Sequence, residues 1–169
     1  TSEEIYLSRH CISHALECGA SAARVYLNKS VSDSYTMLNG ELDKVTHSAD
    51  RSIYIYLFAD GKYGTFSTNR LEQSELEEFV VKAIEMVRML GEDICRQLPS
   101  TDRMAKDACT GRELDLYDSS YETMDISMRL ENARKLAIYG KEACSGEGWR
   151  LISEDCEPSD TIDDRLTVE

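Results

Sequence analysis

At 169 residues the chain fits one domain, with an appendage at most, and its 41% apolar content can fill a core. A net charge of −13, from 32 acidic against 19 basic residues, sets up a field that repels nucleic acid, and Lys and Arg are scattered with no basic stripe to oppose it. No stretch approaches the roughly 20 apolar residues of a membrane span, and no apolar signal segment precedes the first expected helix, so the expected setting is cytoplasmic.

Thr1 and Glu4 have capping-box spacing and open an expected helix over 2–18. Ile5, Ile12 and Leu16 share one helical face there, with Cys11 and Ala15 alongside, and Gly19 is a natural stop. Ala22 to Asn28 reads as a strand with Val25 and Leu27 on one face. A second strand follows from Val31 to Leu38. The Asn39-Gly40 turn then leads into Glu41 to Ser48, where Leu42 and Val45 are out of phase and a bulge near Asp43 or Lys44 would restore the register. Arg51 to Phe58 alternates Ile53, Ile55 and Leu57 with Tyr54, Tyr56 and Phe58, so both faces are expected to be covered.

Asp60-Gly61 turns the chain into Lys62 to Thr68, where Gly64 marks a bulge or a close approach by another group. Ser74 and Glu77 form a second capping-box pattern, and Leu76, Phe79, Val80, Ala83, Ile84 and Val87 keep helical spacing up to Gly91. From Glu92 to Asp125 periodicity fails, with Leu114, Leu116 and Tyr117 as candidate pins. Helix returns over Ile126 to Cys144 on a narrow stripe of Ile126, Leu130, Ala133 and Ala137. Trp149 to Ser153 reads as a short strand, and the acidic tail beyond Asp155, with Pro158, as a linker.

These elements add up to an α+β fold. An antiparallel meander of about five strands carries two helices on one face, and a third helix follows a long irregular connection, either on the other face or in a small subdomain. The expected divisions are a helix–meander–helix core over 1–91, the irregular connection over 92–125, a completing helix and strand over 126–155, and a linker over 156–169. The expected core is Ile12, Leu16, Val25, Leu27, Ile53, Ile55, Leu57, Phe79, Val80, Ala83, Ile84 and Val87.

Chemistry is sparse. The cysteines Cys11, Cys18, Cys95, Cys109, Cys144 and Cys156 contain no Cys-x-x-Cys pair, against a zinc ribbon or a dithiol redox site. They read mostly as small buried hydrophobes in a reducing compartment. His10 and His14 have the i, i+4 spacing of a helical metal pair, but Cys11 stands where a zinc protease has Glu, and no third ligand is placed nearby. No nucleophile elbow exists, and Gly61-Lys62-Tyr63-Gly64 lacks the strand-to-helix context of a phosphate loop. Asn28-Lys29-Ser30 is a glycosylation sequon by pattern alone. The Tyr54, Tyr56 and Phe58 face could stack bases, but the acidic field favours packing. No catalytic, cofactor or metal residue is assigned on this basis.

The order of the short motifs carries more. Gly19-Ala20-Ser21-Ala22-Ala23-Arg24-Val25 precedes Gly40-Glu41-Leu42-Asp43-Lys44-Val45, then a hydrophobic strand, then Asp60-Gly61-Lys62-Tyr63-Gly64 running into Ser67-Thr68-Asn69. A helix follows, then Glu92-Asp93, Leu98-Pro99 and Leu114-Asp115-Leu116-Tyr117-Asp118. This series resembles the N-terminal domain of the TldD/PmbA family, labelled modulators of DNA gyrase, and is closer to the PmbA (TldE) branch. The positions that carry the resemblance as structural motif are Asn39, Gly40, Glu41, Asp60, Gly61, Gly64, Ser67 and Thr68.

The resemblance implies a function. TldD-like members are zinc metallopeptidases that act with a PmbA-like partner in proteolysis and peptide maturation, microcin precursors and antitoxins included. Their metal motif, a His-Glu-x-x-x-His helix in the C-terminal half, is absent from this sequence, so no catalytic, metal or cofactor residue carries over. The expectation is then a non-catalytic N-terminal domain of an accessory subunit, a scaffold for dimerisation and for a peptide channel, ending where the family's second half begins. Its partners would be a TldD-like subunit or a second copy, and the peptide substrates of the complex, without nucleic acid or membrane. The alternatives are a standalone acidic interaction module without a peptidase link and a metal enzyme using His10 and His14.

Overall fold

Both hairpin turns have the backbone that their residues favour. Asn39 and Gly40 sit at φ 52° and 85°, and Asp60 and Gly61 at 52° and 71°. Two consecutive positive φ values make the type I′ geometry whose twist suits antiparallel strands. The computed structural model describes residues 1–103, 114–143 and 152–169. Its elements run α1 (Ser2–Glu17), β1 (Ala22–Leu38), β2 (Glu41–Ala59), β3 (Lys62–Thr68), α2 (Gln73–Met89), α3 (Ile126–Ala143), β4 (Asp155–Cys156) and β5 (Ser159–Val168). Single 3-10 turns at Thr101–Arg103 and Ser119–Thr123 punctuate the connection.

The strands form one five-stranded antiparallel sheet in the order β3-β2-β1-β4, with β5 also pairing β1. The α+β class therefore holds, but the strands are not those expected. Ala22–Leu38 and Glu41–Ala59 are two long strands where the sequence suggests four shorter ones. Polar residues such as Asn28, Lys29 and Ser30 look like a break but are tolerated inside a strand whose backbone bonds are met by neighbours. The acidic tail is β5 rather than a linker. Its Lys29–Asp164 contact at 2.7 Å helps dock it on β1.

The chain divides into two compact units. The first comprises Thr1–Ser30, the stretch from Asp50 through residue 103, and Asp163–Glu169. The second comprises Val31–Ala49 and the described residues from 114 to Ile162. These divisions cut β1 and β2 in mid-strand and so differ from the expected ones at 91, 125 and 155.

In the first unit, one face of the sheet presents Val25 and Leu27 of β1 with Ile53, Ile55 and Leu57 of β2. Onto it pack Leu76, Val80, Ala83, Ile84 and Val87 of α2 with Leu7, Cys11 and Ala15 of α1. Both helices thus cover one face, as expected. The buried stripe of α1 is Glu4, Leu7, Ser8, Cys11 and Ala15, one residue out of phase with the expected one. Leu16 is 47% exposed, and Ile12 and Phe79 are only partly buried. Small side chains at 8, 11 and 15 let the helix approach closely, which outweighs the larger but displaced Ile5 and Leu16.

The other face of β2 is not fully covered. Tyr54 is 37% exposed, and the aromatics pack on one another: Tyr26–Tyr54 at 5.9 Å and Phe58–Tyr63 at 4.9 Å between ring centroids. Glu41 to Arg51 is exposed throughout, so the phase slip at Leu42 and Val45 buries nothing and needs no bulge to correct it.

Among the described residues the second unit has a smaller core: Tyr35 and Met37 of β1 against Ala133 of α3, with Leu130 and Cys156 beside them. α3 therefore belongs to the second unit. Leu114, Leu116 and Tyr117 are exposed at 64%, 82% and 49%, so they do not pin the connection. Most of the expected strand at Trp149 to Ser153 lies outside the described residues, as do Cys109 and Cys144. Among the described cysteines, Cys11 is buried, Cys18 and Cys156 are half-buried and Cys95 is exposed, so burial is not their common property.

Candidate functional site

The motif residues divide between the units. In the first unit, Asp60 and Gly61 form the β2–β3 turn, and neighbouring chain is tied to it. Asp60 Oδ2 lies 3.3 Å from Arg88 Nε, Lys62 Nζ donates to the Arg88 carbonyl at 2.5 Å, and Asp93 N donates to the Gly61 carbonyl at 2.9 Å. Gly64, Ser67 and Thr68 sit in β3 opposite Leu57, Tyr54 and Ile53. Gly64 is a close approach: a Cβ there would stand 2.8 Å from Phe66 Cε2 and 2.9 Å from Val87 Cγ2. Thr68 Oγ1 accepts from Arg70 N at 3.1 Å as the chain leaves the sheet.

In the second unit, Asn39 is held by β4's approach: its N–H donates to the Glu154 carbonyl at 3.0 Å and its side-chain oxygen accepts from Glu154 N at 3.2 Å. Gly40 and Glu41 lead into Glu41–Ala49, which is exposed along its length. Because β3 pairs only with 53–59 of β2, this part of β2 has β1 on one side and no strand on the other among the described residues. An unpaired strand edge offers alternating N–H and C=O groups to an extended chain. The motif residues therefore build turns and edges; none is set against another as an acid–base or nucleophilic pair.

His10 and His14 lie on α1 with stacked rings 6.3 Å apart. His10 Nε2 is 2.7 Å from Glu77 Oε1 on α2, and Gln73 Nε2 donates to the same carboxylate oxygen at 3.0 Å. Those bonds, Gln73 first and His10 second, hold the Glu77 carboxyl below its ordinary range. His14 Nε2 instead faces Cys18 Sγ at 3.6 Å. The two histidines turn to different partners, and among the described residues no group of three His, Cys, Asp or Glu is arranged to hold a metal. Glu77 serves this helix–helix contact rather than a capping box: α2 begins one residue before Ser74, with Glu72 at its cap and no side-chain cap bond.

One charged group escapes a reading by pattern. Glu4 is 6% exposed and is met by Lys29 Nζ at 3.1 Å and Arg51 at 3.3 Å. It also closes the capping box with Thr1 as expected. The N-terminal ammonium bonds it most strongly, burial opposes, and Lys29 and Thr1 add to hold its carboxyl at about 2. Its capping-box spacing from Thr1 marks the helix start, but no sequence signal marks its contacts with Lys29 and Arg51.

The comparisons with known proteins agree with this scaffold. Residues 23–87 match the family model described as PmbA/TldA metallopeptidase domain 1. Over these residues the chain is similar to the first domain of the TldD/PmbA family. A Bacteroides thetaiotaomicron protein named "putative modulator of DNA gyrase" has a solved structure similar at TM-score 0.86 with 28% identity over 99% of this chain and 37% of that one. A Thermotoga maritima protein of the same name matches at 0.63 with 18% identity, over 99% and 35%. TldE from Thermococcus kodakarensis matches at 0.61 with 13% identity, over 95% and 34%, a likeness of fold alone. The chain thus spans about a third of the length of these solved relatives. No curated protein matches the sequence. No described helix is long and apolar enough to cross a membrane.

Proposed function

We propose that the chain is the N-terminal domain of a PmbA-like accessory subunit of a TldD/PmbA-type metallopeptidase, non-catalytic itself and cytoplasmic. In this reading it helps shape a peptide channel and a surface for a TldD-like partner or a second copy. The observation that carries it is the family match over residues 23–87, on a chain spanning 37% of a 28%-identical relative. The run Leu114-Asp115-Leu116-Tyr117-Asp118, followed by a helix, fits the accessory branch. The edge of Glu41–Ala49, unpaired among the described residues, supplies a place where an extended peptide could add as a strand.

The test is a titration of the isotope-labelled chain with extended peptides. Shifts concentrated in the backbone amides of Glu41–Ala49 are expected. Shifts along no strand would remove the peptide-channel role and leave a standalone acidic interaction module. Zinc at one equivalent per chain, lost in His14→Ala, would instead revive the metal-enzyme reading.

A further inference from the structure

The second unit holds a cavity of about 220 Å³. Arg129 and Asn132 of α3, Asp160 of β5 and Tyr35 of β1 line it, with Met124 and Pro158 as apolar wall. Such a volume takes a small organic group rather than a single water.

Its charged groups are held in place. Arg129 Nε donates to Asp160 Oδ2 at 2.6 Å, and its guanidinium carbon lies 5.4 Å from the centre of the Tyr121 ring. The two side chains are 14% and 24% exposed. Asp160 Oδ1 is closed to water and, among the described residues, has no hydrogen-bond partner. A buried carboxylate oxygen left unmet is costly.

Charge selects the class of ligand. An ammonium group would meet the Arg129 guanidinium; a carboxylate would meet Asp160, with Asp33 near enough to act on the same guanidinium. Like charges crowded against a partly buried wall are unfavourable. A neutral group with one donor and one acceptor meets neither objection. We propose that this cavity binds a primary carboxamide, which donates N–H to Asp160 and accepts at its carbonyl oxygen from Arg129, with Asn132 as a second amide-reading side chain. Free small amides and the Gln or Asn side chain of a peptide share this chemistry. The inference stands on the cavity and does not depend on the family reading.

The test is a titration of the isotope-labelled 169-residue chain with n-butyramide, n-butylammonium and butyrate at matched pH and ionic strength. Butyramide alone is expected to give saturable shifts at the amides of Asn132, Ser159 and Asp160. A capped Ala-Gln-Ala peptide then separates the sources: binding tighter than butyramide, lost in Ala-Ala-Ala, assigns the site to a peptide side chain, and weaker binding assigns it to free amides. Asp160→Asn is expected to weaken butyramide about tenfold, the loss of one charge-assisted bond. Since that change also loosens Arg129, Asn132→Asp provides a second arm: it keeps the ion pair and is expected to shift preference towards butylammonium. The proposal is overturned by a butyramide response that never saturates or by an equal response to butyrate. Undiminished butyramide affinity in a folded Asp160→Asn protein overturns it as well.

Discussion

Glu4 shows how one residue couples local and tertiary terms. As the third residue of α1 it completes the capping box with Thr1, and it faces inward, where Lys29 and Arg51 meet it. Lys29 is in turn raised above its ordinary value, by Asp164 first and Glu4 next, against burial. The Glu4 carboxyl is lowered from 4.5 to about 2, so it binds fewer protons folded than unfolded. Its contribution is complete above 4.5 and is lost as pH falls towards 2. Replacing it by Gln keeps the shape and removes the charge. Glu4→Gln should lower stability by about 1–3 kcal/mol at neutral pH. It should also flatten the fall of the melting temperature between 4.5 and 2; parallel melting curves for variant and parent would show that the charge is not used. Cys11 behaves oppositely: burial, then the Glu77 charge, pushes its thiol up to about 11, so it packs as a small apolar side chain.

At the scale of elements, the patterns with the longest unbroken periodicity translate most directly. α2 keeps its apolar stripe from Leu76 to Val87, and all of it but Phe79 is buried. Ile53, Ile55 and Leu57 are fully buried, as alternation requires. Gly64 is legible too, because a glycine inside a strand asks for a reason, and the reason is contact with Phe66 and Val87. Gly64→Ala should therefore cost about 1–3 kcal/mol by overpacking the α2–β3 contact. Urea denaturation measures it; an alanine with no cost would mean that Phe66 swings aside freely. α1 is harder to read. Its stripe of small residues is weak in hydrophobicity, so Ile5 and Leu16 drew the expected face one position away from Cys11 and Ala15.

At the scale of the molecule, the two units rest on unequal cores. The first gathers buried side chains from α1, α2, β1 and β2; among the described residues the second buries Tyr35, Met37 and Ala133, with Leu130 and Cys156 beside them. Local opening follows buried apolar contact. Amides at Ile55 and Val80 should therefore exchange only by global unfolding, while those around Ala133 in α3 exchange at least about tenfold faster. Equal protection in both units, measured by native-state hydrogen exchange, would show that they unfold as one.

Turn chemistry, helix periodicity and the alternation around Ile55 are local properties of the chain, so the sequence by itself determined the two type I′ turns, three helices and the order of motifs similar to the family's first domain. Only tertiary structure decided the rest. That β1 and β2 run unbroken past polar residues, and that the acidic tail becomes β5, depends on hydrogen-bonding partners distant in sequence. Arg129 meets Asp160 across 31 positions, and Glu4 meets Lys29 across 25. No local pattern records such pairings, because their free energy arises only when the fold removes both partners from water.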